Sequence, residues 1–153
     1  MSIDARLQEL GITLPQAAAP VASYVPVVIH GDLAFVSGQV SFVDGELLKG
    51  RLGEDVSLED GMKAARGCGL MILAQLKAAL GSLDRVVRVV KLGGFVNSAP
   101  DFTEQPKVVN GASDLMLEVF GEAGKHARAA VGVPSLPLGV AVEVDAVVAI
   151  RSA

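Results

Sequence analysis

The sequence predicts an α+β domain in which two main helices pack on one face of a mixed β-sheet, preceded by a short N-terminal helix. Three observations predict it. β-Branched runs separated by turn dipeptides occupy residues 24–49 and 127–151. One long stretch, Ser57 to Leu80, repeats apolar residues at threes and fours. A Val-rich run lies between that stretch and a second helical one, so the order is ββ(β)–α–β–α–ββ, without repeat or linker. At 153 residues the chain is a single domain, 1–153, large enough to bury about two-thirds of its extended surface.

Each element has its own signal. Ser2 to Leu10 places Ile3, Leu7 and Leu10 on one helical face, with Gly11 ending it. Residues 12–23, with Pro15, Pro20 and a run of Ala, read as an irregular lead-in. Tyr24 to His30 is a strand that Pro26 assigns to a sheet edge. It joins Leu33 to Ser37 through the Gly31-Asp32 turn as a hairpin. Gln39 to Val43 continues toward a second turn at Asp44-Gly45, with Glu46 to Lys49 beyond.

Ser57 is a helix N-cap, and Glu59 and Asp60 in the first turn favour the helix dipole. Met62, Ala65, Gly69, Ile72, Leu73, Leu76 and Leu80 form the apolar stripe, and Gly81 suits the left-handed C-terminal position. Gly61, Gly67 and Gly69 lower helix propensity and point to close packing against a sheet. Arg85 to Val96 reads as a strand broken at Gly93-Gly94, and Asn97 to Pro106 as a polar loop. Asn110 to Phe120 is the second helix, and strands follow at Ala127 to Val133 and Ala141 to Arg151.

Composition excludes several functions. A mean hydropathy of +0.49 without an apolar run of about 18 residues excludes a membrane span. Seventeen acidic against thirteen basic residues, a net charge of −4 and 4% aromatics oppose binding of nucleic-acid backbones and stacking on bases. The apolar surplus favours closed oligomers. One cysteine, Cys68, excludes an intramolecular disulfide and multi-cysteine metal sites, and it reads as a buried small hydrophobe. Neither a clustered His/Cys spacing nor a phosphate loop is present, so neither a metal nor a cofactor is expected. The first residues show no signal-peptide pattern, and the chain reads as cytoplasmic.

Against this apolar background the polar strand residues stand out. Arg128, Glu143 and Asp145 lie among Val and Ala, and a guanidinium matches a carboxylate or phosphate bidentately. An Arg128–Glu143 ion pair is the plain structural alternative. Ser37-Gly38-Gln39 offers uncovered backbone amides and a hydroxyl, or simply a bulge. Asn97 and Asn110 flank the proline-containing loop as possible caps, and His30 and His126, candidate bases, sit beside turns and read as surface residues.

The segment from Ala127-Arg128 through Val131-Gly132-Val133-Pro134, Leu136-Pro137 and Val140 to Glu143-Val144-Asp145-Ala146 resembles the C-terminal signature of the Rid family. This is the family of reactive intermediate deaminases, also called YjgF-like or endoribonuclease L-PSP proteins. Tyr24, Ser37-Gly38-Gln39, Phe95-Val96-Asn97 and Asn110 extend the resemblance upstream, so that it covers residues 24–151. The resemblance implies a chorismate-mutase-like protomer, assembled as a homotrimer with clefts between subunits. It also implies hydrolysis of 2-imino or enamino acids to 2-oxo acids and ammonia. Arg128 then matches the substrate-carboxylate anchor and Glu143 the acid that orients or activates water. Tyr24, Ser37, Gly38 and Asn110 match the cleft lining. A non-catalytic trimer binding small carboxylates is the alternative from the binding class. The ribonuclease or translation-inhibitor role suggested by family names is opposed by the charge and aromatic content. Where family members commonly carry Cys two residues after the Arg, this chain has Ala130, and Ala22-Ser23-Tyr24 replaces Gly-Pro-Tyr. With the N-terminal extension, residues 1–23, and the altered region 44–56, these departures mark a divergent branch.

Overall fold

Helix α1, Ile3–Glu9, opens the chain, its N-terminus closed by Ser2, whose hydroxyl accepts the Ala5 amide at 3.1 Å. The computed structural model describes residues 1–19 and 22–153, so Pro20 in the predicted lead-in lies outside the described residues. Leu7 anchors α1 in the core, and polar contacts add to it. The Ile3 amide donates to Asp84, Arg6 Nε donates to the Glu118 carbonyl, and Lys77 pairs with Asp4.

Strands β1 (Val27–His30) and β2 (Leu33–Val40) form the expected hairpin, with His30 opposite Leu33 across Gly31-Asp32. Pro26 and Tyr24 precede β1 instead of lying in it, because proline cannot donate to the ladder. Beyond Val40 the chain leaves the main sheet. Strands β3 (Phe42–Val43) and β4 (Glu46–Leu47) pair only with each other around Asp44-Gly45.

Helix α2, Leu58–Leu80, begins at Ser57 and ends at Gly81, whose φ of 81° is available to glycine at little cost. A strand β5, Val86–Asn97, then runs unbroken through Gly93-Gly94. The expected interruption does not occur, because both glycines are places of close approach. A side chain at Gly93 would strike Asp145 on one face, and one at Gly94 would strike Val109 on the other. Helix α3, Gln105–Phe120, starts five residues before the predicted Asn110. Pro106 sits in its first turn, where the missing amide hydrogen costs no hydrogen bond. Strands β6 (Ala127–Val133) and β7 (Val142–Ile150) complete the chain.

The five-stranded sheet has the order β1-β2-β7-β5-β6. Strands β5 and β6 are parallel, joined by α3, and the other pairs are antiparallel. Along β7 the burial alternates strictly: Val142, Val144, Ala146, Val148 and Ile150 are buried in the core beneath the helices, and the intervening residues are not. Both long helices pack on that one face, α2 over β2 and β7, α3 over β5 and β6. The α2 glycines serve this packing differently from expectation. Gly67 meets the carbonyl of Phe42 on β3, whereas Gly61 and Gly69 admit Val108 and Leu115 of α3. Cys68 is fully buried, its sulfur 3.4 Å from the Val142 carbonyl oxygen. The face of the sheet away from the helices leaves Val28, Phe35 and Val131 between 43% and 51% exposed.

Candidate functional site

Strand β2 carries a bulge. Val36 pairs with Ala146 and Gln39 with Val144, so Ser37 and Gly38 together face Asp145. The segment Ser37-Gly38-Gln39 is therefore inside the strand and not at its end. The Ser37 hydroxyl donates to the Val25 carbonyl at 3.0 Å, which ties the loop bearing Tyr24 to the bulge. Gly38 and the Glu143 carboxylate approach closely. A Cβ there would lie 2.5 Å from Glu143 Oε2. Tyr24, Gly38 and Glu143, with Phe42, Leu47 and Leu138, line a cavity of about 620 Å³, within the range of small-molecule sites. Leu138 is a non-glycine residue held at a φ of 62° and largely exposed at this cavity; such strain gathers at ligand sites. Burial, and then the charge of Asp145 two residues on, push the Glu143 carboxyl above the ordinary range. Burial also raises Asp145, against the opposing effects of the Gly93 amide and Lys91.

The second group of residues lies elsewhere. Arg128, on the edge strand β6, donates from Nη1 to Asn110 Oδ1 at 2.8 Å and to Ser113 Oγ at 3.1 Å. Asn110 is inside α3, not at its cap. With Ser113 three residues on, it presents two oxygens on one helical face. Arg128, Asn110, Ser113, Asp114, Lys125 and His126 line a separate cavity of about 430 Å³. His126 is not a free surface residue: its Nε2 lies 2.8 Å from Ser113 Oγ and its Nδ1 2.6 Å from the Gly124 carbonyl. His30 is exposed at the end of β1. Asn97 caps no helix; it is buried in β5, donating to the Val140 carbonyl and accepting from Arg51.

No Arg128–Glu143 ion pair forms. Register places Arg128 beside Leu92, and Leu92 beside Ala146, all on the helix-covered face. Glu143 is three residues from Ala146 along β7 and points to the opposite face. The two charges are two strands apart and on different sides of the sheet. One protomer thus holds Tyr24, Ser37, Gly38 and Glu143 together, and Arg128 with Asn110 together, but does not join the two groups. Ser113 was invisible to sequence reasoning, except through its three-residue spacing from Asn110. Among the described residues, no helix is long and apolar enough to cross a membrane.

Five mixed strands under two helices, with polar side chains gathered at an edge and a bulge, define the chorismate-mutase-like α+β class. The chain belongs to the YjgF/chorismate mutase-like, or Rid, family, whose model matches residues 4–148. It is 55% identical to protein TCP17 of Trypanosoma cruzi over 98% of this chain and 95% of that protein. The crystal structure of a protein of unknown function from Agrobacterium tumefaciens superposes with a TM-score of 0.90 at 51% identity, covering 97% of this chain and 92% of that one. RidA from the Antarctic bacterium Psychrobacter sp. PAMC 21119 gives a TM-score of 0.62 at 28% identity, covering 90% of this chain and 98% of that one.

Proposed function

We propose that the protein hydrolyses 2-imino or enamino acids to 2-oxo acids and ammonia, in clefts between the subunits of a homotrimer. The observation that carries this reading is the separation of Arg128 from Glu143 by the intervening strand β5 and the thickness of the sheet. Neither of these two cavities of a lone protomer brings Arg128 and Glu143 together. Juxtaposing the β6 edge of one subunit with the bulge side of its neighbour supplies both. The uncovered apolar face around Phe35 and Val131 supplies surface for such an assembly.

The chemistry needs little else. A 2-imino acid carries its carboxylate one bond from the reactive carbon, so clamping by Arg128 fixes that carbon in place. Water then adds to the C=N carbon while Glu143 takes its proton. Return of that proton to nitrogen gives a carbinolamine, whose hydroxyl proton then passes through the same carboxylate to nitrogen as the C–N bond breaks, releasing ammonia and leaving the 2-oxo acid. A carboxyl raised by burial is suited to this two-way transfer. Ala130 puts a methyl where a family thiol commonly lies, so the proposed hydrolysis proceeds without sulfur. The endoribonuclease name of the family gains no support from paired histidines, since His30 and His126 stand at opposite edges of the sheet.

Subunit mixing tests the proposal. Arg128→Ala and Glu143→Gln chains should each be nearly inactive toward freshly generated 2-iminopropanoate. Co-expressed, they should recover activity, because random assembly leaves about a quarter of the inter-subunit clefts with both native residues. Trimers that bind a 2-oxo acid but release no ammonia in any combination would favour the non-catalytic carboxylate-binding alternative. Activity that never recovers on mixing, although wild type turns over, would place both residues in one subunit's own site.

A further inference from the structure

We infer that Ser113 and His126 are positioning residues for Arg128, forming a hydrogen-bonded relay that holds its guanidinium in the orientation a carboxylate requires. The inference rests on the reading of Arg128 as an anchor, and the relay itself follows from donor and acceptor chemistry. The Gly124 carbonyl can only accept, so His126 Nδ1, 2.6 Å away, carries a proton. Arg128 can only donate, so Ser113 Oγ accepts from Nη1 at 3.1 Å. With the imidazole carrying its proton on Nδ1 alone, the remaining hydrogen of Ser113 points to His126 Nε2, 2.8 Å away. In that tautomer the hydrogen bonds run in one direction, from Arg128 through Ser113 and His126 to the backbone at Gly124.

The consequence for Arg128 is rotational. Asn110 and Ser113 occupy Nη1 together, and among the described residues Nε and Nη2 make no hydrogen bond. Those two donors form the parallel edge that meets a carboxylate bidentately. Without Ser113, one hydrogen bond, from Nη1 to Asn110 Oδ1, remains, about which the guanidinium can turn. The relay's anchorage is rigid, because Ser113 is buried in α3 and Gly124 packs against the backbone of Met116.

Ser113→Ala should raise KM for the imino acid about tenfold and leave kcat within about twofold, the signature of lost ground-state placement. His126→Phe, which keeps the ring and removes both nitrogens, should act in the same direction. Ser113→Thr, which retains the hydroxyl, should restore most of the affinity. Calorimetric binding of 2-oxobutanoate to each variant gives a readout independent of turnover, and it should weaken by the same factor as KM. Wild-type turnover with an unchanged KM and unchanged 2-oxobutanoate affinity in Ser113→Ala would overturn the relay. Weakened 2-oxobutanoate binding in Ser113→Ala, from a wild type that hydrolyses no imine, would uphold the relay and remove the deaminase reading.

Discussion

Asn110 and Ser113 hold one nitrogen of Arg128 against α3, and this arrangement makes the residue's role separable from the fold. Arg128→Ala should lower imine hydrolysis roughly a hundredfold, the scale of one preorganised charged contact, with the thermal midpoint nearly unmoved. Arg128→Lys should recover little, since an ammonium cannot reproduce the two-pronged contact. Steady-state kinetics beside a melting curve checks both, and unfolding with unchanged activity per folded molecule would make Arg128 structural. Glu143 should behave in the reverse sense. Its folded-state pKa is raised by burial and by Asp145, so the folded protein keeps this proton to higher pH than the unfolded chain. Stability from Glu143 is therefore present in acid and lost as pH rises from about 4 through the raised value. Glu143→Gln should slow turnover yet melt higher than wild type at neutral pH, the difference closing in acid. A neutral-pH melt below wild type would contradict the burial argument. Arg128 and Glu143 were legible from the sequence because charges in Val-Ala strands are conspicuous. Their placement on opposite faces was not, since side-chain parity across strands has meaning only once the register through Leu92 is known.

Among the elements, β2 is the one whose irregularity has work to do. Its bulge sets Ser37 and Gly38 against Asp145 and brings the Gly38 backbone against the Glu143 carboxylate. Gly38→Ala should displace the end of the Glu143 side chain and leave β2 paired. Turnover should fall about tenfold to a hundredfold, the effect of misplacing a reacting group by an ångström. A variant with wild-type kcat would show that Glu143 does not need this close approach. The N-terminal segment makes a comparable link. Gln75, buried in α2, donates to the Ala18 carbonyl at 2.9 Å and lies 3.4 Å from Gln39 Oε1. Gln75→Leu should expose residues 12–19 to proteolysis well before the core unfolds. Equal cleavage rates in wild type and variant would show that the tether is unimportant. Capping chemistry made α2 readable nearly to the residue, from Ser57 to Gly81. The start of α3 was lost because Pro106 reads as loop when the first-turn exception is forgotten. Likewise Gly93-Gly94 reads as a break when it is two contacts, one on each face.

At the scale of the molecule, the sheet face away from the helices leaves Val28, Phe35 and Val131 exposed. Sedimentation at micromolar concentration should give three times 15.7 kDa. Val131→Glu should lower that mass and abolish imine hydrolysis together, although Arg128 and Glu143 are intact in every chain. A monomeric variant with full activity would end the inter-subunit model. The apolar surplus was visible in composition, but composition has no geometry, and only the folded sheet shows which side it occupies. Beneath the other face of the same sheet, on helix α2, lies Cys68, with no exposed surface and a thiol that burial, and then Glu143, push far above its ordinary pKa. Being the chain's one cysteine, it is a built-in stopwatch. A thiol reagent can reach it only while α2 is lifted from β7. Its labelling rate therefore counts the partings of α2 from the sheet, free of any signal from a second site.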